Sequence, residues 1–141
     1  MIELLVLDVD GCLTDGKIIY TNAGDELKNF HVRDGFAIVS WKRLGRRVAI
    51  ITGRSSKIVE FRARELGIDY LFQNARRKEE ILLELAKSAN VPLSNIAAIG
   101  DDLNDYRLLK KVGLSFTPND GVEEIKKIVD VVLENRGGEG A

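Results

Sequence analysis

The sequence predicts a doubly wound α/β fold: a mostly parallel sheet with helices on both faces, and a β-hairpin protruding from it. Three observations carry this. Short apolar runs of strand length alternate with stretches of helical periodicity along the chain. The helical stretches from 34 to 44 and from the Ser55 cap through Leu66 stop at glycines, Gly45 and Gly67. Right-handed crossovers then gather the strand C-terminal ends on one edge, where folds of this kind bind ligands.

The elements follow in order. ELLVLDV (3–9) is a short apolar run that reads as a buried strand. KIIYTNAGDELKNFHV (17–32) holds two extended stretches around Asn22-Ala23-Gly24-Asp25, a hairpin signal. From 34 to 44 the residues Phe36, Ile38, Val39, Trp41 and Leu44 fall at helical spacing. RRVAIIT (46–52) is a second strand, and Ser55 is the expected cap of a helix running to Leu66. YLFQ (70–73) is a short strand. KEEILLELAKSA (78–89) is an amphipathic helix with Ile81, Leu82, Leu85 and Ala89 on its apolar side. IAAIG (96–100) is a strand and 103–111 a helix. LSF (114–116) and VDVVL (129–133) read as edge strands around a helix near 121–128. The tail NRGGEGA (135–141) has no core-forming pattern and is expected to be flexible unless it docks. No internal repeat or linker divides the 141 residues, so one domain over 1–141 is expected.

Composition narrows the classes of function. Hydrophobic residues make up 45% of the chain and charged residues 30%, as in ordinary globular proteins. A net charge of −1 offers no global field for nucleic acid or anionic lipid, so any anion site must be built locally. The lone Cys12 excludes an internal disulfide and suits a reducing compartment. No apolar run approaches the length of a membrane span, and Met1 leads directly into the first strand, leaving no room for a signal peptide. A cytoplasmic setting is expected.

Each major strand ends in loaded chemistry. The first ends in Asp8-Val9-Asp10-Gly11 and the second in Thr52-Gly53-Arg54. Asn74-Ala75-Arg76-Arg77-Lys78 follows the third, and the fourth ends in Gly100-Asp101-Asp102-Leu103-Asn104-Asp105. This set meets the needs of phosphoryl transfer. Mg²⁺ takes oxygen ligands and is held by one or two carboxylates plus phosphate and water, which Asp8 and Asp101 can supply. A carboxylate can attack phosphorus and split hydrolysis into two steps. Lys78 and the Thr52 hydroxyl can hold phosphate oxygens, while Gly11 and Gly53 let backbone N–H groups approach the anion.

Together DVDGCLTDG, ITGR, the isolated lysine and GDDLND resemble, in order and over almost the whole chain, the four motifs of the haloacid dehalogenase-like phosphatases. With FHVRDG, ITGRSSKIV and GGEGA, the sequence looks like the capless branch that dephosphorylates 3-deoxy-D-manno-octulosonate 8-phosphate, a lipopolysaccharide precursor. The resemblance implies a Rossmann-like sheet and a role for each matching position. Asp8 would be the nucleophile and a Mg²⁺ ligand. Asp10 would be the acid/base and would ligate the metal through its carbonyl. Asp101 would complete the ligands, with Asp102 and Asp105 supporting them from behind. Thr52 and Lys78 would hold the phosphate, with Gly53 beside them. Arg33, Asp34, Gly35, Arg54 and Arg62 would face the sugar acid, whose carboxylate suits the planar arginine fork. His31, the only histidine, is placed near the substrate at the hairpin end.

Only 41 residues separate Asp10 from Thr52, and a hairpin plus one helix consume them, so no cap domain fits. Capless relatives form homotetramers in which hairpins pair and a neighbour covers the site; residues 17–32, with Ile18, Ile19, Tyr20, Leu27 and Phe30, are expected to do the same. In relatives a glycine-rich tail reaches an adjoining site and the chain continues into another helix, whereas this sequence stops at Ala141. Blander roles are expected elsewhere: Cys12 as a small buried residue, Trp41, Phe36 and Phe61 as core or subunit contacts, and Asp15 in a turn or behind the site. Two other functions fit part of the pattern. One is a phospho-accepting receiver domain, although its Asp-x-Asp and lysine would come in a different order. The other is a phosphatase for a nine-carbon sialic-acid-like sugar, in whose branch an acidic residue tends to replace Arg54.

Overall fold

The structure, a computed structural model, describes residues 1–141. Eight strands and five helices alternate along it: β1 (Leu4–Leu7), β2 (Ile19–Tyr20), β3 (Glu26–Leu27), α1 (Val32–Arg43), β4 (Arg47–Ile51), α2 (Lys57–Leu66), β5 (Tyr70–Phe72), α3 (Lys78–Ser88), β6 (Ile96–Ile99), α4 (Tyr106–Leu109), β7 (Leu114–Thr117), α5 (Glu123–Lys126) and β8 (Val131–Val132). Six strands form one sheet in the order β5-β4-β1-β6-β7-β8, every pair parallel. The chain winds outward from β1 to β4 and β5, then returns to β1's other side for β6, β7 and β8. Strand order therefore reverses at β1, and its C-terminal end opens into the crevice where such sheets take ligands.

Alternation along the strands splits the core in two. Leu4, Val6, Ala49, Ile51, Ile96 and Ala98 face α3, α4 and α5, packing on Leu82, Leu85, Leu108, Leu109 and Ile125. Leu7, Val48 and Ile50 face the other way, toward Ile38 of α1 and Val59, Ala63 and Leu66 of α2. Ile99 of β6, partly buried, packs against the same cluster. A mostly apolar hollow of about 290 Å³ lies beside it, lined by Leu7, Ile99, Phe116 and Leu133 from the sheet side, by Trp41 of α1, and by Ala141.

Several expectations are corrected. β7 pairs on both sides, with β6 and β8, so residues 114–116 form an interior strand and, of the two expected edge strands, β8 alone lies at an edge. Ser56, not Ser55, caps α2: its backbone is extended and its hydroxyl accepts from Val59 N at 3.2 Å, while Gln73 Oε1 holds its own N–H at 2.8 Å. The stretch after Asp102 begins as a 3₁₀ turn before α4. Trp41 is half-buried, but Phe36 and Phe61 are 73% and 66% exposed, which removes them from the core. The hairpin is short, Ile19 opposite Leu27 and Tyr20 opposite Glu26. Residues 135–141 dock on their own chain: Gly138 N donates to Cys12 O at 3.0 Å, and Gly137 N to Asp120 Oδ1 at 2.9 Å. A Cβ at Gly137 would lie 1.9 Å from the Gly11 carbonyl oxygen, so only glycine permits that approach. No helix is long and apolar enough to cross a membrane.

Candidate active site

β1 ends at Leu7, and Asp8 continues it in extended conformation with its N–H on Ile99 O at 3.3 Å. The chain then makes one wide turn over Val9–Leu13, closed by Thr14 N donating to Val9 O at 3.0 Å. Gly11 makes the turn possible. Its φ is +94°, and a Cβ there would fall 1.9 Å from Asp101 Oδ2. Glycine thus lets the loop after β6 press its carboxylate against the loop after β1.

Behind that contact lies a buried charge chain. Lys78 opens α3 with its side chain 1% exposed, donating to Asp8 Oδ1 at 2.9 Å and Asp105 Oδ1 at 2.7 Å. Asp105 Oδ2 accepts from the N–H groups of Asp101 at 3.1 Å and Asp102 at 3.3 Å. Asp102 caps the 3₁₀ turn by accepting from Leu103 N at 2.7 Å. A Cβ at Gly100 would lie 2.5 Å from Asp105 Cβ, so the glycine of GDD leaves room for the aspartate that ties the loop. Burial alone would lower the Lys78 ammonium, but the carboxylates of Asp8 and Asp105 more than reverse this and keep it protonated.

Asp8 and Asp101 confront one another. Their ligand atoms, with Cys12 Sγ, lie within 4.8 Å of one another. Burial and then the Asp105 charge push the Asp8 carboxyl up from its ordinary 3.8 to about 6, against the pull of Lys78. Burial and the facing Asp8 push Asp101 to about 8. Two carboxylates that resist ionising together are what a divalent cation between them relieves. Their hard oxygens suit Mg²⁺. Cys12 fits less well: burial pushes its thiol up, and Sγ lies 3.8 Å from Asp101 Oδ1, the place of a small buried filler, as expected from the sequence.

A cleft of about 170 Å³ opens over this pair, lined by Asp8, Asp10, Thr52, Gly53, Arg54, Asp101, Asp102 and Asn104. Thr52, 1% exposed, is fixed by its N–H on Phe72 O and its carbonyl accepting from Ala75 N. The structure thus brings Asp8, Asp10, Thr52, Gly53, Arg54, Asp101 and Asp102 together, with Lys78 and Asp105 bonded behind.

The remaining sequence candidates do not line the cleft. His31 Nδ1 accepts from Arg33 N at 3.1 Å, making the histidine the cap of α1. Arg62 packs between helices, Nη1 on Glu65 at 2.5 Å and Nη2 on His31 O at 3.5 Å, against Gly35 and the Phe30 ring. Asp34 faces the apolar hollow, its carboxyl raised by burial against the pull of His31 and Arg62. Asp15 forms a turn, Oδ1 accepting from Lys17 N at 3.0 Å.

Three residues escaped the sequence reading. Asn104 lines the cleft within a motif read for its acids alone. Glu26 and Lys28 reach the site from the hairpin: Lys28 Nζ donates to Asp10 Oδ1 at 2.5 Å and pairs with Glu26 at 3.3 Å, and Glu26 also takes Arg54 Nη1 at 2.6 Å. The signal was present. In ELK, Glu26 and Lys28 alternate with Leu27, so two charges share one strand face while an apolar residue takes the other.

A family profile described as haloacid dehalogenase-like hydrolase matches residues 70–140. The 3-deoxy-D-manno-octulosonate 8-phosphate phosphatase KdsC of Escherichia coli (strain K12) is 43% identical over 140 residues, covering 99% of this chain and 74% of that protein. A crystal structure of the corresponding phosphatase from Moraxella catarrhalis, in complex with magnesium ion, phosphate ion and KDO, superimposes with a TM-score of 0.97 at 41% identity, covering 99% of this chain and 80% of that one. The cobalt-bound deoxy-D-mannose-octulosonate 8-phosphate phosphatase of Haemophilus influenzae gives 0.95 at 39% identity, with 99% and 82% covered.

Proposed function

The chain belongs to the haloacid dehalogenase-like hydrolases, and within that family we propose that it is a Mg²⁺-dependent phosphatase converting 3-deoxy-D-manno-octulosonate 8-phosphate to the free sugar acid and phosphate. The observation that carries this is the meeting of Asp8, Asp10, Thr52 and Asp101, from the ends of three adjacent strands, around one small cleft with Lys78 bonded to Asp8. The relatives of like sequence and fold act on this substrate by name, and one is seen with magnesium, phosphate and KDO.

Asp8 and Asp101 would hold Mg²⁺, joined by the Asp10 carbonyl; the bound ion supplies charge that offsets repulsion between a carboxylate and a phosphate dianion. An Asp8 oxygen attacks phosphorus, the bond from phosphorus to the sugar oxygen breaks, and Asp10 gives its proton to that oxygen. Water then attacks the phosphorus of the aspartyl-phosphate, Asp10 takes the water proton, and the bond to Asp8 breaks to release phosphate. Thr52 and Lys78 steady the phosphate oxygens, and Arg54 faces the carboxylate end of the sugar. Asp102 and Asp105 fix the loop that carries Asp101.

The cleft is small beside the roughly 300–1,000 Å³ of ordinary ligand pockets. It accepts a phosphate but not a whole eight-carbon acid. Ile18, Tyr20 and Leu27 on the hairpin are 57%, 61% and 49% exposed, and Phe36 and Phe61 on the helices are exposed as well. Residues 17–32 therefore serve as a contact between copies, in a homotetramer where a neighbour completes the sugar wall and brings His31, Arg33, Asp34, Gly35 and Arg62 into use. Residues 1–141 work as one catalytic unit, in the cytoplasm.

The test is a panel of sugar phosphates with Mg²⁺, scored by free phosphate. The reading expects repeated turnover, highest on the eight-carbon 8-phosphate and lost with EDTA. Preference for a nine-carbon 9-phosphate would reassign the substrate, and retention of a single phosphate without release would indicate a receiver.

A further inference from the structure

Lysines on exposed hairpins are ordinarily solvated, with the ammonium in water. Lys28 is not. Its side chain is 1% exposed although it directly follows the two-residue strand β3 of a hairpin whose apolar residues are open to solvent. It spans from the hairpin to the rim of the sheet and ends on Asp10 Oδ1, with Glu26 beside it as a second acceptor. Glu26 in turn holds Arg54, so four charged groups form one chain: Asp10, Lys28, Glu26, Arg54. Burying an ammonium is costly unless its partners are well placed, and the partner chosen here is the carboxylate that handles the proton.

We propose that Lys28 is a positioning residue for Asp10, holding its carboxylate toward the leaving-group oxygen, with Glu26 locking the lysine in place. Asp10 lies directly before Gly11 within the wide Val9–Leu13 turn, in non-helical backbone, and one of its oxygens is held by Lys28. With that oxygen held, the other is left to face the substrate. Without the lysine the side chain is free to rotate, and a proton donor displaced by about 1 Å loses much of its value. The proposal rests on the reading of Asp10 as the acid/base. A competing role would be a plain clasp that keeps the hairpin down.

The experiment separates these by leaving group. Protonation matters for an alkoxide such as a sugar oxygen and little for a nitrophenolate, and kcat/KM reports the steps through cleavage of that bond. Wild type, Lys28→Met, Asp10→Asn and the double variant are compared on the sugar phosphate and on p-nitrophenyl phosphate with Mg²⁺. Lys28→Met is expected to lose about tenfold or more on the sugar phosphate, within the roughly 10²–10⁴-fold that acid–base catalysis contributes, and far less on the aryl ester. The double variant should be no slower on the sugar phosphate than Asp10→Asn alone. Turnover of the aryl ester shows in the same sample that each variant is folded. Equal losses on both esters for Lys28→Met, with Asp10→Asn still selective, would overturn the positioning role and leave a clasp. If Asp10→Asn shows no selectivity, the acid role of Asp10 falls and the proposal falls with it.

Discussion

The rim of the sheet and the hairpin place charge and apolar surface in opposite ways. At the rim, Asp8, Thr52, Lys78 and Asp105 are buried polar residues, and the ion pairs among Asp8, Lys78 and Asp105 are made within one chain. On the hairpin, Ile18, Tyr20 and Leu27 are apolar and open to solvent. Burying charge and exposing hydrocarbon are both unfavourable for a lone domain. The first is offset inside the molecule by partners, the second only by another surface. The polar cluster at the rim is therefore complete within the chain, whereas the apolar hairpin surface is left uncovered by it.

That contrast orders the expected effects. Asp8→Asn removes the proposed nucleophile and should abolish phosphate release while circular dichroism stays that of the wild type. Asp10→Asn should slow sugar-phosphate turnover by about 10²–10⁴-fold, measured by steady-state release. Lys78→Met strips the cation from between two buried carboxylates. It should cost about 3–5 kcal/mol in denaturant unfolding, the penalty of unpaired buried charge. Ile19→Lys with Leu27→Lys charges the hairpin face opposite Glu26 and Lys28, and should shift sedimentation to the monomer. Because the rim needs no neighbour, that variant should keep its activity on an aryl phosphate while KM for the sugar phosphate rises.

The smallest effect concerns pH. Asp8 and Asp101 are raised to about 6 and about 8, so the metal-free fold holds protons that the unfolded chain has released. Stability with EDTA should therefore fall as pH rises from about 4 to about 8. Mg²⁺ should flatten that slope, its apparent affinity rising across the same window as it displaces protons. Melting temperatures with EDTA and with Mg²⁺ over that range check both statements.

Much of the rim was legible because its residues act through backbone position. A strand that stops at Leu7 and a glycine at 11 fix where Asp8 and Asp10 stand, whatever the rest of the chain does. The same holds for Thr52 after β4 and Asp101 after β6. Elements whose place depends on partners were read less well. The strand at 114–116 looked like an edge because its alternation is short, and its interior place follows from β8 pairing beyond it. The apolar spacing of Phe36 and Phe61 is that of a core face, yet helical period cannot distinguish a face turned to the sheet from one turned to a second chain. Arg62 and His31 carried the right chemistry for a sugar acid but are engaged locally, in a helix cap and an ion pair with Glu65. Lys28 was missed for a different reason: the alternation in Glu26-Leu27-Lys28 puts two charges on one side, but it does not show that this side turns toward Asp10.

The most direct test is to quench the enzyme with acid during turnover of the sugar phosphate with Mg²⁺ and map the phosphoryl group by peptide mass spectrometry. One phosphoryl group on the peptide bearing Asp8, absent from the Asp8→Asn protein, is the expected result. Turnover with no phosphoryl group on Asp8, or with one on a different residue, would contradict it.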